Sequence, residues 1–279
     1  MADFIMSHEA PIRLGFFLGI LVLMALWELA APRRALTVSK ALRWGNNLAL
    51  VVCNSLVLRL VFPVAALGVA VRAEASGWGL LHALPLPGWL AVLLAVLLLD
   101  LLIYGQHVLM HKVPVLWRLH RMHHADLDFD VTTGARFHPL EIVLSMAIKM
   151  GAVLALGAPP LGVLIFEVLL NVTSMFNHGN VRIPQGADRL LRLLLVTPDM
   201  HRVHHSLVRA ETDSNYGFNL PWWDRLFGTY RPQPAAGHEG MTIGIAQFRE
   251  PRELWLPRLL TQPFMNPAQA GAPDTDREG

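Results

Sequence analysis

Residues 100–124 read DLLIYGQHVLMHKVPVLWRLHRMHH, and they continue an apolar run that begins near Gly88. About 20 apolar residues in a helix cross a hydrocarbon core of about 30 Å, so this run is long enough to span a membrane. Two histidine clusters follow, HX3H and HX2HH, formed by His107, His111, His120, His123 and His124. Histidines three or four positions apart share one face of a helix. The stretch therefore predicts a membrane helix that leads into a concentration of imidazoles.

A third cluster of the same kind, His201-Arg-Val-His204-His205, lies further along the chain. Thr197 and Pro198 precede it, and a threonine N-cap followed by proline is a typical helix start. One such cluster can arise by chance. Three clusters at helical spacing indicate a shared ligand.

The eight imidazoles of these clusters indicate a metal site with more than one ion. Imidazole suits zinc, copper, iron and nickel, whereas a single zinc takes at most four protein ligands. Eight ligands suit two ions of five or six coordination that keep an open position. Haem is disfavoured because it uses one or two axial histidines, and neighbours three residues apart cannot sandwich one ring. The count favours a dimetal centre, with iron as the redox-active choice.

The composition is that of a membrane protein. Hydrophobic residues make up 53% of the 279 residues and charged residues 16%, with a mean hydropathy of +0.41, whereas soluble domains carry about 25% charged residues. Three spans are predicted, at 14–31, 48–71 and 88–106. The shorter runs 142–157 and 161–176 flank Pro159-Pro160 and predict a helical hairpin, 142–176, that dips into the bilayer. The expected fold class is all-α, a polytopic membrane helix bundle with a histidine-rich helical cap.

The basic residues near the span ends predict the orientation of this bundle. The first connection carries only basic charges, namely Arg33, Arg34, Lys40 and Arg43, whereas the second carries one base and one acid. The first connection, and with it the histidine cap, is expected to face the cytoplasm. We divide the chain into membrane helices at 1–106, a catalytic region at 107–250, and an interfacial segment with a disordered tail at 251–279. The net charge of +2 and the single Cys53 favour neither nucleic-acid binding nor an intrachain disulfide.

In these motifs the chain resembles the fatty acid hydroxylase/sterol desaturase superfamily of integral membrane di-iron enzymes. The resemblance runs from about Asp100 to Tyr230 and includes RFHPLE at 136–141, NHGN at 177–180 and WDRLFGTY at 223–230. It implies two iron ions and O2-dependent hydroxylation or desaturation of a C–H bond in a sterol-like or fatty acyl lipid. It also implies a separate electron-donor protein, because the sequence has no HPGG-type haem box, flavin fingerprint or cluster-binding cysteines.

The resemblance adds one histidine, His178, to the expected ligands. The expected set is then His107, His111, His120, His123, His124, His178, His201, His204 and His205. Two further residues have two interpretations each. His138 is either a ligand or the N-cap of a helix that begins at Pro139, with Glu141 in its first turn. Asp100 shares a helix face with His107 and either orients a ligand histidine or bonds to another span.

The remaining histidines, His8, His82 and His238, lie outside the pattern and are expected at the surface. Two alternative functions also fit a histidine-rich membrane protein. A zinc-dependent lipid hydrolase needs few histidines and a carboxylate near the bound water, so most of these ligands would be unused. A metal transporter tends to bury ionisable residues within its spans, whereas these clusters lie beyond the span ends. Hydroxylation and desaturation share their first hydrogen abstraction, and the same motifs serve both.

Overall fold

The structure is a computed structural model that describes residues 2–266. Within these residues the chain is helical and contains no β-strand. The predicted disordered tail, 268–279, lies outside the described residues. The α-helices are α1 (Ala2–Ala30), α2 (Lys40–Val61), α3 (Ala66–Ser76), α4 (Gly88–Lys112), α5 (Pro114–His124), α6 (Pro139–Leu156), α7 (Pro160–Asn177), α8 (Gln185–Leu191), α9 (Pro198–His204), α10 (Arg209–Thr212), α11 (Trp222–Leu226), α12 (Gly237–Gly240) and α13 (Leu256–Thr261).

Five of the described helical segments are long and apolar enough to cross a membrane. They are Ser7–Ala30, Lys40–Ser76, Gly88–Lys112, Pro139–Leu156 and Pro160–Asn177. This confirms the predicted all-α membrane bundle. The second segment is interrupted between α2 and α3, where Phe62 leaves the helical conformation before Pro63. Proline has no N–H and disfavours a helical conformation of the residue before it, so the predicted span at 48–71 lies across a break.

The apolar core lies between α3, α4, α6 and α7. Its fully buried side chains include Leu67, Leu99, Val153, Val163 and Phe166. A Cβ added to Gly162 of α7 would lie 3.1 Å from the Cβ of Ala95 on α4. Membrane helices associate through close packing rather than the hydrophobic effect, and small residues let them approach. The parallel helices α4 and α7 therefore bring their carboxyl ends, and the histidines at those ends, to one side of the bundle.

The hairpin of α6 and α7 is fixed at its tip by the loop between α3 and α4. The backbone N–H groups of Leu80 and Leu81 donate to the carbonyls of Ala155 and Leu156 over 3.1 and 2.8 Å. This loop precedes α4, whose other end carries His107 and His111. The tip of the hairpin thus reaches the end of the bundle away from the histidines.

The cap consists of α5 and the segments that follow α6–α7, together with the loop 125–138. At its edge, Leu259 of α13 is buried against Leu50 of α2 and Met122 of α5. Trp255 and Phe264 of the same segment are exposed. The segment 255–264 packs on the cap with one face and presents aromatic rings on the other. Its position in the membrane interface stays a prediction.

Candidate metal centre

Nine buried histidines meet where α4, α5, α7 and α9 end. They form one group of five, His107, His111, His120, His124 and His204, and one group of four, His123, His178, His201 and His205. Within each group, one ring nitrogen from every histidine lies within 4.8 Å of the others. Each group is built from segments that lie far apart in sequence, so the three predicted clusters do converge, and His178 joins them.

Local sequence explains how each element presents its rings. Pro114 opens α5 immediately after α4 and turns the chain, so that the rings of α4 and α5 face each other. In α9 the side chain of Thr197 accepts the N–H of Met200 at 3.3 Å, and Pro198 occupies the first turn. This agrees with the predicted helix start. His178 follows α7 as its C-cap residue, where the helix has ended.

Backbone carbonyls fix the proton on Nδ1 of four of these rings. A carbonyl oxygen only accepts a hydrogen bond, so the facing ring nitrogen must donate. The four Nδ1 donors and their carbonyl partners are His107 to Tyr216 at 2.7 Å, His123 to Arg136 at 3.0 Å, His178 to Ser174 at 2.7 Å and His204 to Ser214 at 2.7 Å. In all four rings Nε2 is therefore the nitrogen that bears the lone pair.

Glu141 fixes the proton on Nδ1 of a fifth ring, that of His120. The sequence predicted Glu141 only as a residue in the first turn of a helix. Its carboxylate accepts the Nδ1 proton of His120 at 2.7 Å, and both side chains are buried. A carboxylate behind a histidine fixes the tautomer and makes the ring a stronger ligand. The available signal was the position of this acid at the start of α6, which packs against α5.

The lone pairs so fixed point at one another. Nε2 of His107 lies 3.1 Å from that of His120 and 3.0 Å from that of His204, and His178 and His123 face each other at 3.2 Å. These pairs have no proton to share when the imidazoles are neutral. His111 and His201 are buried with no hydrogen-bond partner on either ring nitrogen among the described residues. Facing lone pairs and orphaned buried nitrogens are what metal ions satisfy, so the donor set fits two metal sites.

Burial keeps the rings of the cap neutral. Removal from water, followed by the neighbouring imidazoles, lowers the pKa well below its ordinary value in His123, His124, His201 and His205. Burial is also the main cause that lowers the pKa of His178 and of His204 to about 3. Neutral imidazole is the form that binds a metal. The site is therefore ready to take cations at pH 7 without releasing protons.

His138 and Asp100, which each had two interpretations, belong to neither histidine group. Nδ1 of His138 accepts the N–H of Leu140 at 3.2 Å, so this residue caps α6, and it belongs to neither group. Asp100 accepts the indole N–H of Trp223 at 2.8 Å and the backbone N–H of Leu220 at 3.3 Å. It fastens α4 to α11 and to the segment before it rather than orienting an imidazole.

The sequence also did not predict a buried ionic cluster that Arg43 forms with Asp126 and Asp130. Arg43, which was predicted as a basic residue of the first connection, is fully buried. Its guanidinium donates to both carboxylate oxygens of Asp126, at 2.7 and 2.8 Å, and to Asp130. It thereby ties α2 to the loop after α5. Three acids at alternate positions, 126, 128 and 130, in a chain poor in acids were the available signal.

The expectation that His238 lies at the surface is wrong, whereas His8 and His82 are exposed. His238 is buried beside Asp199, with Nε2 3.6 Å from a carboxylate oxygen. Arg34, from the connection after α1, donates to the carbonyl of His238 at 2.7 Å. This connection folds over α12 and covers the histidine.

A cavity of about 320 Å³ extends from the histidines into the membrane bundle. His107 and His120 line one end of it. Its walls come from α1, α2, α4, α6 and α7 and are largely apolar, with Phe17, Leu58, Ile103, Met110, Phe137 and Phe218 among the lining residues. A concave, mostly apolar space of this size that ends at a candidate metal centre is typical of a ligand site.

Residues 92–229 match the fatty acid hydroxylase family, and this segment contains all nine histidines of the two groups. The chain belongs to the fatty acid hydroxylase/sterol desaturase superfamily. Glu141 also lies inside the fatty acid hydroxylase segment. Arg43 lies outside it, in the membrane helices that precede the family match.

Several proteins of known name are similar to the chain. The ornithine lipid hydroxylase of Rhizobium tropici is 34% identical over 158 residues, which cover 56% of this chain and 47% of that protein. Human alkylglycerol monooxygenase is 31% identical over 173 residues, which cover 58% and 37%. A cholesterol 25-hydroxylase-like protein of Danio rerio is 28% identical over 261 residues, which cover 81% and 95%. The chain thus spans less than half the length of the first two relatives. No solved structure shows a significant match.

Proposed function

We propose that this chain is a membrane-bound di-iron oxygenase that uses O2 to hydroxylate or desaturate a C–H bond of a lipid. The observation that carries the proposal is the pair of buried histidine groups, in which neutral rings present fixed lone pairs to one another. Bound iron would supply O2 activation and the oxidising power needed to attack an unactivated C–H bond, which amino-acid side chains lack.

The proposed ligands divide as the structure groups them. His107, His111, His120, His124 and His204 would hold one ion, and His123, His178, His201 and His205 the other. Ligand nitrogens about 2.1 Å from one ion lie about 3.0 Å apart at a right angle and about 3.4 Å apart at the tetrahedral angle. The observed separations of 3.0 to 3.2 Å between Nε2 atoms are short enough for the rings to share an ion. The group of five histidines exceeds the four ligands of a tetrahedral zinc site, which supports five or six coordination there.

The protein's own part in the reaction is to orient the ligands and to exclude water. The Nδ1 bonds to carbonyls and to Glu141 hold the rings in one tautomer. Phe137 stacks on His123 with ring centres 4.5 Å apart, and Phe218 lies 5.0 Å from His107. These two phenyl rings also line the cavity. A substrate chain in the cavity would therefore meet the histidine end between apolar surfaces.

The relatives support a lipid substrate and favour hydroxylation. Their names state hydroxylation of ornithine lipid and monooxygenation of alkylglycerols, and the cavity between membrane helices suits a lipid chain. We infer that electrons come from a separate donor protein, because the only cysteine, Cys53, cannot hold an iron–sulfur cluster. We also infer a cytoplasmic histidine cap, since Arg33 and Arg34 lie in the connection on that side of the bundle.

Metal analysis of the full chain purified in detergent tests the proposal. We expect about two iron ions per chain and an exchange-coupled Mössbauer signal after growth on enriched iron. His204→Ala and His178→Ala, each in a different group, should lower the iron content, whereas exposed His82→Ala should not. Zinc without iron, even after anaerobic loading with ferrous iron, would overturn the proposal and favour a zinc-dependent hydrolase. Lipid profiling with and without the chain would then identify the oxygenated product.

A further inference from the structure

Three ionisable side chains meet inside the membrane bundle, away from the histidines. Lys149 of α6 donates to Glu167 of α7 at 2.5 Å, and Arg13 of α1 pairs with the same carboxylate. Lys149 and Glu167 are 9% and 7% exposed. Ionisable residues within membrane helices are costly and mark functional sites by default. We call these three residues the deep cluster.

The deep cluster lines the same cavity as His107 and His120. Along α6, Lys149 lies eight residues from Glu141, or about 12 Å at 1.5 Å per residue. Along α7, Glu167 lies seven residues from Ser174, or about 10 Å. Both helices therefore place the deep cluster about 10 to 12 Å from the histidine end of the cavity.

The buried hydrogen-bonding atoms of this cavity that lack a partner differ between its two ends. An ammonium group has three N–H donors, and Lys149 gives one to Glu167. Nε of Arg13 is buried and has no partner in the described part of the chain. At the histidine end the buried atoms without a partner there are acceptors, namely Oε2 of Glu141, Oδ1 of Asn54 and Oε1 of Gln106. The deep end thus offers donors to a ligand, and the histidine end offers acceptors.

The charges at the deep end balance. Arg13 also pairs with Glu9 at 2.9 Å, so two positive and two negative groups are in contact. An uncharged oxygen acceptor satisfies the free donors without adding an unpaired charge to the membrane interior. The chemistry therefore favours an ester, amide or hydroxyl oxygen over a carboxylate or a phosphate.

Arg13 and Ser55 line the cavity and are also reached from outside, the former with 32% of its side chain exposed. They lie on α1 and α2, which pack against α7 and α6 respectively. This places an opening toward the lipid between α1 and α2. Arg13 lies 17 residues before Ala30, the end of α1 nearest the histidine cap, or about 25 Å along the helix, so the opening serves the leaflet on the side of the hairpin tip.

We propose that Lys149 and Arg13 bind the neutral carbonyl or hydroxyl oxygen of a lipid from this leaflet, so that its alkyl chain runs toward His107 and His120. The inference rests on the proposed function in one respect. If the histidines hold the iron that oxidises the lipid, the spacing of about 10 to 12 Å sets which carbon is attacked. Carbon–carbon bonds of about 1.5 Å advance an extended chain by about 1.25 Å per carbon. The attacked carbon therefore lies about eight to ten carbons from the bound oxygen.

Photolabelling tests where the alkyl chain of the bound lipid ends, and it does not require turnover. The full chain is placed in nanodiscs of ether-linked phosphatidylcholine, which has no competing carbonyl. The probes are methyl decanoate and undecane, each with a diazirine at the terminal carbon. We expect the ester probe to label Met110 and Phe137 at the histidine end. Lys149→Met should reduce this labelling about five- to ten-fold, as expected for one lost buried hydrogen bond, and should leave undecane labelling unchanged.

Exposed Arg72→Met is the matched control and should label as the unmodified chain does. Where Lys149→Met lowers the melting temperature, Lys149→Met combined with Glu167→Gln restores charge balance and should show the same loss of ester labelling. Equal labelling by the ester in the presence and absence of Lys149 would overturn the proposal. Iron content is measured on the same samples. Bound iron without ester labelling of Met110 and Phe137 in the unmodified chain would fault the deep cluster alone, and Lys149-dependent labelling without iron would fault the proposed function alone.

Discussion

His107 and His120 lie on different helices with their Nε2 atoms 3.1 Å apart, and neither nitrogen has a proton to give the other. His107 donates its Nδ1 proton to the carbonyl of Tyr216, and His120 donates to Glu141. Two lone pairs held this close in a buried site repel each other. A cation between them removes the repulsion, so metal binding and folding are coupled.

Metal removal should therefore destabilise the protein. A ligand that binds only the folded state stabilises it by about 2.7 kcal/mol at 100 times its dissociation constant. We expect dialysis against a chelator to lower the melting temperature and ferrous iron, added anaerobically, to restore it. His107→Ala should show a smaller shift on metal addition, and His82→Ala the full shift. A melting temperature that is indifferent to metal in the unmodified chain would contradict this coupling.

Glu141 should affect metal binding through His120. Loss of a carboxylate that orients a ligand histidine typically lowers metal affinity 10- to 100-fold. We expect Glu141→Ala to do so in a competition assay against a chelator. Glu141→Gln should lose less, because an amide oxygen can still accept the Nδ1 proton. Exposed Glu74→Ala is the control, and a loss of equal size there would show that the effect is not local.

Arg43 should be required for stability rather than for metal binding itself. Its removal leaves Asp126 and Asp130 buried without their cation, a change that costs about 3–5 kcal/mol. We expect Arg43→Met to lower the melting temperature by roughly 10 °C, whereas exposed Arg72→Met should change it little. Adding Asp126→Asn to Arg43→Met should recover part of the loss, because one buried charge is then removed.

The clustering of the histidines could be predicted because its cause is local. Spacings of three and four residues fix which rings share a helix face, and each cluster lies next to an apolar run whose length sets the membrane span. The helix start at Thr197 and the hairpin turn at Pro159 are local signals too. The convergence of the three clusters therefore follows from sequence once three such faces are assumed to meet, whereas their division into a group of five and a group of four does not.

The contacts that hold these faces in place were not predictable in this way. Arg43 reaches Asp126 across 83 residues of sequence, and Glu141 reaches His120 only because α6 packs against α5. His238 is buried because a distant connection folds over it. Each of these contacts depends on tertiary packing, and no local pattern in the sequence names the partner.

The buried position of His238 predicts a pH effect. Burial is the main cause that lowers its pKa to about 4, against the opposing effect of Asp199, and nearby arginines lower the pKa further. Its pKa in an unfolded chain is near 6.5, so the unfolded state binds the proton first. The stability associated with neutral His238 is complete above about pH 6.5 and is lost as the pH falls toward 4.

The slope of unfolding free energy against pH reports how many more protons the unfolded state binds than the folded state. We expect His238→Gln to lower this slope by about one proton between about pH 6.5 and pH 4. The measurement is the melting temperature of the purified protein between pH 7.5 and pH 4.5 in otherwise constant buffer. His82→Gln, at an exposed position, should leave the slope unchanged. The same slope in His238→Gln and in the unmodified chain would show that the side chain is hydrated and titrates normally.

Gly79 should be indispensable at the hairpin tip. Its φ of +104° lies where L side chains are strained, and a Cβ there would lie 2.1 Å from the backbone nitrogen of Gly157. Neither backbone can yield without breaking the hydrogen bonds that join the loop to α6. We expect Gly79→Ala to destabilise the protein by more than about 1 kcal/mol and to speed hydrogen exchange at the N–H groups of Leu80 and Leu81, which donate to α6.

Gly151→Ala is the matched control, because a Cβ at this position in α6 meets nothing within 4 Å. Alanine there should stabilise the helix by up to about 1 kcal/mol. The tip lies at the end of the bundle away from the histidines, so Gly79→Ala should still bind iron under conditions in which it remains folded. Unchanged exchange at Leu80 and Leu81 in Gly79→Ala would mean that the loop does not fasten the hairpin.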